Sequence, residues 1–312
     1  MRHRHIQTVL AGIARPPVPE VSRERLELDD GDFIDLQWGS HRAANTVLML
    51  HGLEGSIASP YARRIFNYCN AHHIAIVMMC FRGCSGEANR LLPSYHSGET
   101  DDIRRVIAHL KSGSIDKLAL LGYSVGGNRI LKYLGETDSD PVVGSAVVVS
   151  VPYRLDISAK VLNSGFARIY QSVLLKSLVA KMQAKQAMLD AAEQHFPDPV
   201  NMCSIAEFDE QFTAPICGFD GAADYYRKSS SAYYLSDINK PVSLIHAIDD
   251  PFMSPQVIPE VTQLPSNITI ELYRYGGHVG FVDLQGLQLT SWLEARIHQH
   301  LIDSGFCPQV QT

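Results

Sequence analysis

The strongest chemical signal in the sequence is the segment Gly122-Tyr123-Ser124-Val125-Gly126, at the end of the apolar run Leu118 to Leu121. A G-x-S-x-G directly after a strand predicts a sharp strand-to-helix turn that lifts the serine hydroxyl clear of the chain, as a nucleophile requires. Such a turn strains the serine backbone and presses together the residues two places to either side, so only very small side chains fit there. Gly122 and Gly126 occupy those places, and Gly127 gives further room. Ile130, Leu131 and Leu134 then supply one apolar helical face before Gly135, where the helix is expected to stop. The bare pattern arises by chance in many chains. Its strand and helix flanks are what make Ser124 a candidate nucleophile.

A serine hydroxyl is a poor nucleophile at neutral pH. It needs a histidine base and an acid that orients the base, in the chain order Ser, Asp or Glu, His for this kind of turn. Strand-like Val242 to Ala247 runs into Ile248-Asp249-Asp250-Pro251, and Ile268 to Tyr273 runs into Tyr275-Gly276-Gly277-His278-Val279-Gly280. Both polar groups fall just past strand ends, where open α/β sheets gather their ligands. The separations are 250 − 124 = 126 and 278 − 250 = 28 residues, room for a long insertion and then for one helix and one strand. Either Asp249 or Asp250 could be the acid, the other holding the turn by hydrogen bonds. Charge developing on a carbonyl oxygen would need backbone N–H donors. Val125, next to the serine, and Leu53, in the loop His51-Gly52-Leu53-Glu54-Gly55 after strand-like Thr46 to Leu50, are the expected pair.

The chain resembles the YheT-like branch of the α/β-hydrolases, and is similar to the eukaryotic α/β-hydrolase-domain lipases and esterases. The resemblance rests on HGLEGS at 51–56, FRGCSGEANR at 81–90, YHSGETDD at 95–102, GYSVGGN at 122–128, DDPF at 249–252 and GGHVGF at 276–281. It implies an α/β-hydrolase fold, with a mostly parallel eight-stranded sheet, helices on both faces and a helical cap insertion. It also implies Ser124 as nucleophile, Asp250 as acid and His278 as base, in hydrolysis of short- to medium-chain carboxylic esters or lipid esters without a cofactor. Pro251 would hold the backbone of Asp250 extended. Tyr123 and Val125 depart from the family's commoner Phe-Ser-Leu wording, which bears on the pocket rather than the fold. The same three groups would serve a thioesterase or an amidase. A reading from another class is a non-catalytic protein that binds lipid or a small ligand on this scaffold, and the intact Ser, Asp and His argue against it.

These groups must be positioned by a sheet, and the sequence supplies one. Leu26 to Leu28 and Phe33 to Trp38 read as a hairpin about the turn 29–32, after which strands and helices alternate. The expected succession is strand Thr46–Leu50, helix Tyr61–Ala71 with Ser59 as cap and Pro60 in its first turn, strand Ala75–Met79, helix Asp101–Lys111, strand Lys117–Gly122, helix Gly126–Leu134 and strand Ala146–Ser150. Between Val151 and Asn239 the strand rhythm gives way to helix-forming sequence, with Phe166, Ile169, Tyr170, Val173 and Leu174 at helical spacing. The expected division is a core of residues 1–150 and 240–312 and a cap of residues 151–239. Most apolar stripes are the inner faces of packed helices, and that is the first reading of this one, although some of it must line the site.

With 46% hydrophobic residues the 312-residue chain can bury a large core, and its formal charge of −6 gives no basic face for nucleic acid. It holds no apolar run of ~18 residues. Val9 to Ala14 is too short for a signal-peptide core, so a cytoplasmic enzyme without transmembrane segment is expected. The six cysteines show neither C-x-x-C pairs nor metal spacing, and no metal is expected. Cys84 lacks an elbow and reads as loop packing. Arg82, Glu87, Asn89, His96 and Asp102 read as braces of the loop after residue 80. His72 and His73 end a helix, while His298 and His300 read as solvated faces of the last helix.

Overall fold

The computed structural model describes residues 3–136, 140–193, 195–285 and 288–307. Strands β1 (Ser22–Glu27) and β2 (Phe33–Trp38) form the expected hairpin, and β2 joins β4 (Ile76–Met79) antiparallel. From there the sheet is parallel through β3 (Asn45–Leu50), β5 (Lys117–Tyr123), β6 (Val143–Val149), β7 (Val242–Ala247) and β8 (Ile268–Tyr273), in the order β1-β2-β4-β3-β5-β6-β7-β8.

Both faces of this sheet are covered, so its central strands are mostly apolar, with buried Thr46 and Ser145 among them. Successive side chains alternate faces. Leu48, Leu50, Leu118, Leu120, Ala146 and Val148 pack with helices α3 (Asp101–Ser112) and α4 (Val125–Glu136). Val47, Met49, Ala119, Leu121, Val147 and Val149 pack with α2 (Pro60–Ala71) and the last helix (Leu293–Asp303). The chain leaves β3 toward β4 on one side and later passes to β5 on the other. This reversal opens a crevice at the carboxyl ends of β3 and β5, where ligands of doubly wound sheets bind.

Between β6 and β7 the described residues form helices: α5 (Leu155–Leu162), α6 (Ala167–Ala184), α7 (Gln186–Asp190), α8 (Ile205–Phe208), a π-helical turn at Asp209–Thr213, α9 (Ala214–Ile216) and α10 (Ala222–Ser229). Leu175, Met182, Leu189, Met202, Phe208 and Phe212 form a small apolar cluster of their own within this segment.

The structure corrects several local expectations. Gly135 does not stop α4; it lies inside the helix where any Cβ would fall 2.2 Å from the carbonyl of Tyr234, so the residue permits close packing. Ser59 stands at the start of α2, but its hydroxyl accepts from Ser56 N–H (3.1 Å) and caps no helical N–H. His298 and His300 are buried rather than solvated: His298 meets Tyr68 Oη at 3.2 Å and His300 meets Ser243 Oγ at 2.9 Å. Two elements were not expected at all, the amino-terminal helix α1 (Arg4–Ile13) and the ribbon β9 (Val282–Gln285) with β10 (Gln288–Ser291). The last helix is α11.

Candidate active site

Ser124 directly follows β5 with φ +52°, the left-handed conformation that a side chain adopts only under constraint. The constraint is steric. A Cβ on Gly122 would meet Gly127 Cα at 2.5 Å, and one on Gly126 would meet the Leu50 carbonyl at 2.4 Å, so helix α4 leaves the strand at contact distance. Ser124 N–H donates to Val149 O (2.8 Å), and Asn128 N–H donates to Ser124 O (3.1 Å), which fixes the turn between sheet and helix.

His278 Nδ1 donates to Asp250 Oδ2 at 2.8 Å, and its Nε2 faces Ser124 Oγ at 3.1 Å. A carboxylate only accepts, so the proton sits on Nδ1 and leaves Nε2 free to take one. The other oxygen of Asp250 accepts Phe252 N–H (2.8 Å), and the Phe252 ring stacks on the imidazole, 4.0 Å between centroids and 7° from parallel. Asp250 is 1% exposed. Asp249 does something else: its Oδ1 accepts both Gly276 N–H and Gly277 N–H at 2.9 Å, clamping the histidine loop. The structure thus brings Ser124, His278 and Asp250 together and puts Asp249 in the turn.

Leu53 and Val125 line the same pocket as Ser124, and neither backbone N–H has an acceptor among the described residues. The loop carrying Leu53 is braced by side chains. His51 is wholly buried, and burial pushes its pKa down to about 3. The neutral ring donates from Nδ1 to Gly52 O (2.7 Å) and accepts Phe81 N–H at Nε2 (3.0 Å). Gly52 N–H donates to Tyr61 Oη (2.9 Å) and Glu54 N–H to Tyr95 Oη (2.9 Å). Arg82 holds the next loop through Asp102 (2.9 and 2.7 Å), Asp30 (2.8 Å) and Asp32 (3.3 Å), and Asn89 joins the same Asp32 at 2.7 Å. Glu87 pairs with Arg25 (2.6 Å), and the half-buried His96 accepts Gly98 N–H at 3.2 Å. Burial pushes the Cys84 thiol up to about 11, and Lys181 Nζ lies 3.0 Å from its sulfur, so this cysteine is packed rather than poised to attack.

Sequence reasoning missed the contribution of α1. Thr8 Oγ1 accepts His278 N–H (2.9 Å) while donating to Arg4 O (2.8 Å), and Gln7 Oε1 accepts Val282 N–H (2.9 Å). The backbone between these anchors is strained, with Val279 at φ +53° and Phe281 at φ +46°. Helical spacing of Ile6, Val9, Leu10 and Ile13 was the available signal.

The pocket over Ser124 has a volume of about 560 Å³ and an apolar lining that includes Leu53, Val125, Leu155, Tyr170, Leu174 and Phe252. Ile169 and Val173 also line it, yet they are 55% and 67% exposed, and neighbouring Phe166 is 52% exposed; these residues are not the inner face of a packed helix. Asp209, in the π-helical turn, is the one buried carboxyl group among the lining residues apart from the half-buried Glu54. Burial pushes its pKa up to about 6 against the pull of the Tyr226 hydroxyl that donates to it (2.8 Å). Among the described residues no cluster of three or more His, Cys, Asp or Glu could hold a metal ion.

A hydroxyl held against an imidazole, with a carboxylate behind the ring and two free N–H groups nearby, is suited to acyl transfer. Residues 45–283 match the model of the α/β hydrolase fold family. The chain is 39% identical to YheT of Escherichia coli (strain K12), provisionally named an esterase, over 94% of this chain and 88% of that one. It is 30% identical to the phospholipase ABHD3 of Homo sapiens over 86% of this chain and 68% of the relative. The esterase Pf2001 of Pyrococcus furiosus superposes with a TM-score of 0.61 at 15% identity, covering 93% of this chain and 97% of that structure.

Proposed function

The chain belongs to the α/β hydrolase fold family and to its ester-hydrolysing members, and from that premise we propose that it cleaves carboxylic esters through an acyl-enzyme formed on Ser124. His278 Nε2 takes the Ser124 proton as the hydroxyl attacks the ester carbonyl, and Asp250 stabilises the imidazolium that results. Leu53 and Val125 N–H groups hold the oxyanion, the imidazolium protonates the departing alcohol, and a water activated by the same histidine releases the acid. The observation that carries this reading is the unbroken hydrogen-bonded line from Asp250 (2.8 Å) through His278 (3.1 Å) to Ser124 beneath an apolar pocket.

The substrates are short- to medium-chain or lipid esters, since an apolar cavity of about 560 Å³ suits an acyl chain better than a charged group. Residues 151–239 act as a helical cap over a core of residues 1–150 and 240–312, with α5 and α6 supplying one wall of the acyl pocket. No helix of the described residues is long and apolar enough to cross a membrane, and we place the enzyme's work in the cytoplasm. The test is kcat/KM on octanoyl ester, thioester and amide substrates with matched leaving groups. The ester should be preferred; a faster thioester, or no turnover of any of the three, would overturn the reading.

A further inference from the structure

Two helices flank the open edge of the pocket, and both turn apolar side chains to water. On α1, Ile6, Val9 and Ile13 recur at helical spacing and are 46%, 39% and 65% exposed. On α6 and its leading residue, Phe166, Ile169 and Val173 repeat the same spacing. The opposite side of each helix is already spoken for: Gln7 and Ala11 on α1, and Ala167, Leu175 and Met182 on α6, are buried. Exposed apolar residues occur elsewhere on the chain, among them Val18, Val200 and Val261, but a helix that packs on one side and repeats apolar residues at helical spacing on the other, beside a pocket mouth, has a second medium to meet.

The two stripes form one rim. The His5 ring lies 4.3 Å from that of Phe166, and His5 Nδ1 meets Tyr170 Oη at 3.1 Å, joining the helices across the mouth. Val9 and Ile13 from one side and Ile169 and Val173 from the other line the cavity as well as the surface, so the rim runs without interruption into the pocket.

Charge identifies the partner. The whole chain carries −6, yet residues 3–19 contain no Asp or Glu, and neither do residues 157–189. Those stretches hold Arg4, Arg15, Lys160, Arg168 and Lys176, all exposed and without an ion pair among the described residues. Apolar side chains projecting between unpaired cations match an anionic lipid surface, where the former enter the acyl boundary and the latter meet the headgroups.

We propose that α1 and α6 together dock the enzyme onto anionic lipid surfaces, with the pocket mouth facing the acyl layer. This deepens the reading of the pocket as an acyl site, and it explains why the rim and the pocket are one apolar surface. A substrate acyl chain then passes from lipid to pocket without crossing water. The docking is reversible, since neither helix spans a membrane and the apolar side chains are few.

Binding is measured by sedimentation of the full chain carrying Ser124→Ala, which turns nothing over, with vesicles of phosphatidylcholine alone or mixed with phosphatidylglycerol. The anionic vesicles should bind the protein, and added salt should release it. Arg168→Gln with Lys176→Gln should weaken partitioning by on the order of 25-fold, from roughly fivefold per cation removed near the surface. Ile6→Ser with Phe166→Ser should weaken it on the order of tenfold or more. In the active chain both pairs should leave hydrolysis of a water-soluble acetate ester unchanged, which checks their folding. No binding to anionic vesicles at low salt, or binding indifferent to both pairs, would overturn the proposal. So would a dimer in sedimentation analysis that Ile6→Ser with Phe166→Ser dissociates, because a second copy would then be the occupant. Binding to vesicles by a wild-type chain that hydrolyses no ester would uphold the surface and sink the esterase reading instead.

Discussion

Replacing Asp250 by Asn and Asp249 by Asn should separate two neighbouring carboxylates by three or more orders of magnitude in rate. Asp250 uses both oxygens: Oδ1 accepts Phe252 N–H at 2.8 Å and Oδ2 accepts His278 Nδ1–H at 2.8 Å. An asparagine can keep only one acceptor. With its oxygen on Phe252, its NH₂ donates to Nδ1, which must then be unprotonated, so Nε2 carries the hydrogen and cannot take the Ser124 proton. A wrong tautomer in an otherwise intact triad costs about 10⁴ in kcat, or about 5.5 kcal/mol of transition-state stabilisation. Asp249 is different. Its Oδ1 takes both Gly276 and Gly277 N–H groups, while its Oδ2 is buried without a partner among the described residues. The Asp249→Asn change would keep the bonded oxygen and replace only the idle one, so kcat should fall by less than about tenfold, the worth of one modest hydrogen bond. The assay is the steady-state rate on p-nitrophenyl butyrate, with circular dichroism as the folding control. Equal losses in the two variants, or an Asp250→Asn enzyme keeping a tenth of its activity, would refute the assignment of roles.

Thr8→Val should lower kcat about tenfold by leaving His278 N–H without its acceptor, and Thr8→Ser should restore it; a Val variant of full activity would mean that α1 does not position the histidine. Ala159, buried against the pocket, is a place to fill it: Ala159→Phe should shift the acyl-length optimum to shorter chains and spare acetate esters, because each excluded methylene forfeits ~0.8 kcal/mol, about fourfold in kcat/KM. An unchanged chain-length profile would remove the helical segment from specificity. Asp209 binds its proton more tightly folded, at about 6, than at its ordinary 3.8, so its contribution favours the fold below pH 4 and is lost as pH rises to 6. Asp209→Asn should therefore match the wild type in urea denaturation near pH 4 and exceed it by up to about 3 kcal/mol at pH 8; a less stable variant at pH 8 would reverse the sign of this argument.

The strands were legible because a covered sheet makes most strand positions apolar and β-branched or aromatic, even where β2 buries Asp35 and Gln37 and β7 buries His246. Phe33–Trp38, Val242–Ala247 and Ile268–Tyr273 have the bounds that their sequences suggest. The turn at Ser124 was legible for a local reason as well, since Gly122, Gly126 and Gly127 are imposed by contacts within a few residues and with the ends of the two neighbouring strands, β3 and β6. What stayed hidden depends on partners far away in the chain. Thr8 meets His278 and Gln7 meets Val282, and nothing near residues 4–13 announces either contact. His298 and His300 flank Gln299 in sequence and read as one polar patch, yet α11 lays that side against α2 and the sheet, where Tyr68 and Ser243 receive them. Phe252 stacks on the imidazole only because the two loops meet at the sheet's carboxyl edge. The exposed stripe of α6 could not be told from a core stripe by spacing, for both have period 3.6.

Activation of Ser124 is read out by a fluorophosphonate probe followed by peptide mass spectrometry. One adduct is expected, on Ser124, absent from a folded Ser124→Ala variant whose kcat on a short p-nitrophenyl ester is reduced by up to ~10⁶. An adduct on another residue, or a Ser124→Ala enzyme retaining a tenth of the wild-type rate, would contradict it.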